Sequence, residues 1–417
     1  MVFYPSMNQR SALATVFLAV LIDLMGFGIV LPLLPFYASA FSAPPAVIGL
    51  LYSIYSFAQL IFSPIWGGIS DRIGRRPIML LSTLGASFAY VLFGLAHTLP
   101  LLFLSRLIAG IMGGNISTAQ AYVADVTSHE ERAKGMGLIG AAFGVGFVLG
   151  PAIAAALIHP SFLKLAKIAP SNKYSVPGFF AAFLSLLSFL LVFFKLPETV
   201  KRRDGDNQRI AKLSIFSKSF WRTMTEHKSS GIKFLFPLLM GCVFLYSFAQ
   251  SSLYSSFPLF CESRLKFSEA KIGMLYAYLG TVAILIQGGF IRVLVKKFGE
   301  ENLFFAGTVL ASVGFALVPF AHSLLHLFLF LGILSFGMSL AGPTMNSLIS
   351  KEAGPSEVGR ALGASQGIGA LGRVVGPTWG GWLYGFGPAL PFFATASGLL
   401  YAVAVGSKLV RHKESAS

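Results

Sequence analysis

Residues 67–77 read Gly67-Gly68-Ile69-Ser70-Asp71-Arg72-Ile73-Gly74-Arg75-Arg76-Pro77. This basic segment separates two apolar runs, 45–66 and 77–97. Each is close to the ~20 apolar residues that cross a bilayer as a helix. Working outward, comparable runs occupy 11–38, 100–124, 135–158, 178–194, 234–260, 272–295, 303–321, 324–350, 359–384 and 389–410. Helices are expected in all of them, because lipid offers no partner to a backbone amide. The chain is 55% hydrophobic and 12% charged, with a mean hydropathy of +0.74. Soluble domains carry about 25% charged residues, so lipid must cover much of this exterior. The expected fold is an all-α membrane protein with twelve transmembrane helices. The first run is longer than the roughly 7–15 apolar residues of a signal peptide, and is read as a retained helix.

The net charge of +16 would suggest nucleic acid in a soluble protein. Its distribution gives it another meaning. With both termini cytoplasmic, 24 of the 32 Lys and Arg fall on the inner side. Outer loops hold Lys164, Lys167, Lys173, Arg264, Lys266 and Lys271, and Arg106 and Arg373 lie deep inside predicted helices. This is the positive-inside pattern, so no nucleic-acid partner is expected. The stretch 195–233 carries ten basic residues and four acids, Glu198, Asp204, Asp206 and Glu226. It divides the chain into a first bundle (1–195), a central cytoplasmic loop (196–233) and a second bundle (234–417). A short helix lying on the membrane surface is expected around 210–225.

The halves repeat. Pro32 and Pro258, Gly74 and Gly299, and Gly150-Pro151 and Gly376-Pro377 recur at one offset of about 226 residues. Parallel six-helix repeats with a binding site near the membrane midplane form a recognised transporter architecture. Two enzyme-like patterns, Gly363 to Gly367 and Gly367 to Gly372, match a nucleophile elbow and a dinucleotide fingerprint. Both chemistries need a strand–turn–helix context, whereas these residues lie in one apolar run. Small residues there let helices approach. The sequon at Asn115-Ile116-Ser117 lies at lipid depth and is unusable. Cys242 and Cys261 suggest no disulfide framework. With no Walker-type loop or soluble ATPase domain evident, an ATP-driven pump is not expected, nor is an enzyme activity, a cofactor or a metal.

The segment at 67–77 resembles the cytoplasmic signature of the major facilitator superfamily. The resemblance implies two six-helix bundles and a conformational latch built from Gly67, Asp71, Arg72, Gly74, Arg75, Arg76 and Asp125. In it, Asp71 meets the start of the eleventh helix and Arg75 meets Asp125. A helix N-terminus attracts a carboxylate, and Arg forms forked pairs with carboxylates. The second-half copy has Lys296 in place of Asp71, so one full latch is expected. Gly140, Gly144, Gly150 and Pro151 resemble the fifth-helix antiporter motif. Arg106 with Gly110 resembles the fourth-helix motif. The run from Asp23 to Pro35, DLMGFGIVLPLLP, resembles the first helix of drug–proton antiporters, tetracycline and multidrug exporters among them. Ala89, Ala283 and Ala311 stand where the tetracycline exporters carry an acid, a histidine and an acid, which argues against tetracycline itself.

Asp23 is the one acid deep in a predicted span, and an intramembrane carboxylate is a functional hypothesis by default. It lies about 18 Å from the inner end of its helix and Arg106 about 10 Å from the outer end of its own. Those depths nearly coincide in a core of about 30 Å, so a pair is expected, with Asp23 carrying the proton and Arg106 tuning it. A static ion pair is the alternative. Gln59, Asn115, Gln250, Tyr254, Gln366 and Arg373 are candidates to line a substrate cavity, each with helix packing as its rival role. Arg373 is read either as attracting an anionic substrate or as snorkelling toward the outer face. The function that follows is proton-driven efflux of a lipophilic or amphipathic small molecule by a monomer in a bacterial inner membrane. Rival readings are an uptake symporter or uniporter for a metabolite, and a membrane receptor or scaffold that transports nothing.

Overall fold

The structure, a computed structural model, describes residues 9–128, 131–169, 172–199, 235–353 and 358–416. Its first half contains α1 (Gln9–Val30), α2 (Leu34–Ser39), α3 (Pro45–Ile73), α4 (Arg75–Gly94), α5 (Leu99–Met112) and α6 (Asn115–Val126). It continues with α7 (Arg132–Leu157), a short α8 (Pro160–Leu165) and α9 (Ser175–Lys195). The second half contains α10 (Leu235–Leu265), α11 (Glu269–Leu285), a π-helical turn (Ile286–Phe290) and α12 (Ile291–Phe298). It ends with α13 (Glu300–Leu317), α14 (Leu324–Ala353), α15 (Val358–Phe386) and α16 (Leu390–Ala416). The protein is an all-α, multi-pass membrane protein. Among the described residues, eleven stretches are long and apolar enough to cross a membrane. The remaining expected span, 359–384, forms as α15, whose many glycines and Arg373 lower its hydropathy.

Two of the expected continuous spans are broken. The first run, 11–38, divides into α1 and α2 at Leu31–Leu33. Pro32 and Pro35 sit at the break, and proline lacks the amide that a helix interior needs. The run 100–124 divides into α5 and α6 at Gly113-Gly114. Its second-half counterpart, α14, is continuous through Pro343. The surface helix expected at 210–225 lies outside the described residues.

By packing, the chain divides into two compact units. One comprises 1–41, 57–211 and 269–277, and the other 42–56, 212–268 and 278–417. In the first, α1 packs on α7 and α4 on α9. In the second, α10 packs on α15, and α13 on both α14 and α16. The core of the first unit includes Val16, Val20, Leu24, Met79, Tyr122 and Ile139. Polar and apolar faces are inverted relative to a soluble helix. On α9, Ser185 and Ser188 are buried, while Phe183 is 60% and Phe194 72% exposed. Lipid tails solvate those rings, and small side chains inside let neighbouring helices close. At Gly150 an added Cβ would stand 2.7 Å from the backbone of Gly28, so α1 and α7 touch through glycines.

Candidate functional site

In the first unit, the break at Gly113-Gly114 frees carbonyls at the end of α5. Trp66 Nε1 donates to Ile111 O at 2.6 Å, and Gln59 Nε2 donates to Gly113 O at 2.9 Å. Ser82 Oγ donates to Met112 O. These bonds satisfy the freed carbonyls, as the interior of a membrane requires. Gln59, a cavity candidate by sequence, therefore secures the break. The break in turn sets Asn115 at the start of α6, where its Nδ2 donates to Asp23 Oδ2. Asp23 Oδ1 is buried with no hydrogen-bond partner among the described residues.

The direct pair expected between Asp23 and Arg106 is absent. Arg106 is 2% exposed, and its guanidinium lies over the rings of Tyr90 and Phe93, 5.8 and 5.2 Å from their centroids. Such contacts stabilise a desolvated cation. Tyr90 also stands against Gly26, where an added Cβ would meet its hydroxyl at 2.8 Å. Gly26 is one turn from Asp23, so Tyr90 meets both Arg106 and the stretch of α1 that carries Asp23. Matching depths did not fix the angle at which each side chain leaves its helix.

At the end of the first unit where α3 meets α4, Arg75 is 8% exposed. Its Nη1 pairs with Asp71 Oδ1 and donates to Ser70 Oγ at 2.7 Å, and its Nε lies 3.0 Å from Asp125 Oδ2. Thr199 Oγ1 donates to the same Asp125 oxygen at 3.1 Å. Arg76 Nη2 donates to Phe193 O at 2.6 Å, and Arg72 is exposed. Sequence reasoning missed Glu198. Its carboxylate accepts from the amides of Arg75 and Arg76, at 2.9 and 3.1 Å, which open α4. A carboxylate at a helix N-terminus is favoured by the helix dipole and the unpaired amides. The available signal was an acid placed directly after the sixth span.

Of the antiporter-motif residues, Gly150 packs against α1, Pro151 is buried inside α7, and Gly144 is half-buried. Gly140 meets nothing within 4 Å of an added Cβ. Gly146, not singled out from the sequence, packs against Leu24 and Met25. Gly67 makes an ordinary contact with Ser117.

In the second unit, Gln250 and Gln366 are exposed, and Tyr254 and Arg373 are half-buried. Tyr246 OH donates to Met338 O at 2.9 Å. Ala89 and Ala311 are buried.

A family model described as Major Facilitator Superfamily matches residues 16–377 and 239–416. The class D tetracycline resistance protein of Salmonella ordonez is 31% identical over 379 residues, covering 89% of this chain and 88% of that protein. Multidrug resistance protein 1 of Bacillus subtilis (strain 168) is 28% identical, with 96% of each chain covered. The crystal structure of the human organic anion transporter MFSD10 (TETRAN) superposes with a TM-score of 0.69 at 26% identity, covering 96% of this chain and 100% of that one.

Proposed function

This chain belongs to the major facilitator superfamily and is a membrane transporter, and from that premise we propose that it is a proton-coupled exporter of amphipathic small molecules. The observation that carries this reading is Asp23, a membrane-embedded carboxyl with one oxygen held by Asn115 and the other buried without a hydrogen-bond partner among the described residues. The protonation state of such a group follows its access to water and its charged neighbours. In the proposed cycle, a proton entering from outside neutralises Asp23 and accompanies substrate release. Loss of that proton to the inside resets the site. Arg106, held over Tyr90 and Phe93, acts on Asp23 through the field rather than by contact. The cluster of Asp71, Arg75, Asp125 and Glu198 serves as the latch that holds one state. Gln59 and Asn115 shape the Asp23 site, while Gln250, Tyr254, Gln366 and Arg373 face substrate. Both termini are placed in the cytoplasm, the membrane is a bacterial inner membrane, and the working unit is a monomer. Similarity to a multidrug and a tetracycline resistance protein supports export.

The test is internal pH in sealed proteoliposomes under an imposed proton gradient, challenged with a panel of lipophilic drugs. At least one compound should collapse the gradient with the intact protein and none with Asp23→Asn. Equal behaviour of the two proteins, or no proton movement with any compound, would remove the coupling assignment.

A further inference from the structure

Arg373 lies near the middle of α15, in the unit that also contains α10. A guanidinium stays ionised at any accessible pH, and an ionised group at that depth needs compensation. Among the described residues of this unit, no carboxylate supplies it. Glu262, Glu300, Glu301, Glu352 and Glu414 all stand in the first or last turn of a helix. No carboxylate lies within ion-pair distance of Arg373 in the described residues.

The surroundings are polar instead of charged. The phenols of Tyr254 and Tyr55 are its electrostatic neighbours. Tyr52 stands with its ring 6.5 Å from that of Tyr254. Gln250 and Tyr254 are one turn apart on α10, and Gln366 and Arg373 are two turns apart on α15, so each pair shares a helix face. The two helices pack together through glycines. At Gly372 an added Cβ would stand 2.6 Å from Phe244 O, and at Gly376 2.5 Å from Phe248 O. Gln250 and Gln366 remain exposed although each sits inside a membrane-crossing helix. Exposed amides at lipid depth are stable where water reaches them. This face is polar, cationic and flanked by the rings of Tyr52 and Tyr254.

We propose that Arg373, with the Tyr254 and Tyr55 hydroxyls, is an anion-binding subsite, and that the transported compounds are amphipathic organic anions such as aromatic carboxylates or sulfonates. The guanidinium pairs with the acid group through charge-assisted bonds. The phenols donate to its remaining oxygens, and the rings of Tyr52 and Tyr254 take the apolar body. The assignment narrows the substrate class of the exporter proposed above and rests on that reading for the direction of transport alone.

The experiment is equilibrium binding to the intact protein in phosphatidylcholine nanodiscs at pH 7.5, with empty discs subtracted and no proton gradient. Three probes of matched shape are compared: 2-naphthoate, 2-naphthamide and 2-naphthylmethylammonium. The carboxylate should bind saturably and about tenfold or more tighter than the other two. Arg373→Gln should erase that preference while leaving the weak amide binding unchanged. The proposal is overturned if the amide or the cation binds as tightly as the carboxylate, if carboxylate binding does not saturate, or if Arg373→Gln keeps the preference. Should Arg373→Gln fail to fold, the three probes on the intact protein decide alone. A gradient assay that fails with Asp23→Asn bears on coupling and leaves this binding result standing.

Discussion

Gly74 is where a single side chain decides whether the cluster of Arg75, Asp125 and Glu198 assembles. Its φ of 114° and ψ of 155° lie in a region that is essentially glycine-only. An added Cβ would also collide with the Glu198 carboxylate that caps α4. Gly74→Ala should therefore lower stability by about 1–3 kcal/mol, read as a drop in the unfolding temperature of the purified protein. An unchanged unfolding temperature would mean that the cap is dispensable. The conformation of Gly74 was not legible beforehand. The sequence placed it in a signature with Arg75 and Arg76, yet gave no hint that an acid more than a hundred residues later would meet their amides. Gly299, the repeat partner, also has a positive φ of 80° at the start of its helix. The turn chemistry is thus repeated even where the charge pattern is not.

Among the elements, the break between α5 and α6 matters most, because it aims Asn115 at Asp23. α3 crosses close by: an added Cβ at Gly114 would stand 2.8 Å from Trp66 Cδ1 and 3.0 Å from Ser63 Cα. Gly114→Val should push α3 away at a cost of about 1–3 kcal/mol and reduce proton-coupled exchange in proteoliposomes by about tenfold or more. Gly137→Ala is the control. Nothing lies within 4 Å of an added Cβ there, and the substitution inside α7 should leave exchange intact and stability equal or higher. Similar losses from both would refute a specific role for the break. The run 100–124 reads as one continuous helix because hydropathy does not register a two-residue interruption. Only the bonds from Gln59, Trp66 and Ser82 to the freed carbonyls reveal that it is stably built.

For the whole molecule, lipid is the solvent that shapes the surface, and the proposed exchange of a proton for an organic anion makes the membrane potential part of the driving force. A proton entering as a monovalent organic anion leaves moves two elementary charges in the same electrical sense. Each is worth about 2.3 kcal/mol per 100 mV. Efflux of preloaded 2-naphthoate from proteoliposomes should therefore quicken when valinomycin clamps the interior negative, and slow at zero potential. A rate indifferent to the clamp would contradict net charge movement and with it the pairing of a proton with an anion.

The sequence by itself determined that the chain is helical, that it crosses the membrane many times, and which carboxylate lies midway along a span. Those properties rest on local quantities: run length against bilayer thickness, the cost of an unpaired amide in lipid, and the chemical type of each side chain. The tertiary structure decided who meets whom. Asp23 found Asn115 and not Arg106, Arg106 found two aromatic rings, Glu198 found the first amides of α4, and Arg373 came to lie beside tyrosines with no carboxylate within ion-pair distance among the described residues. Depth follows from counting residues along a helix. The direction a side chain takes depends on the rotation of each helix about its axis, and only the packing of glycines and rings between neighbours sets that rotation.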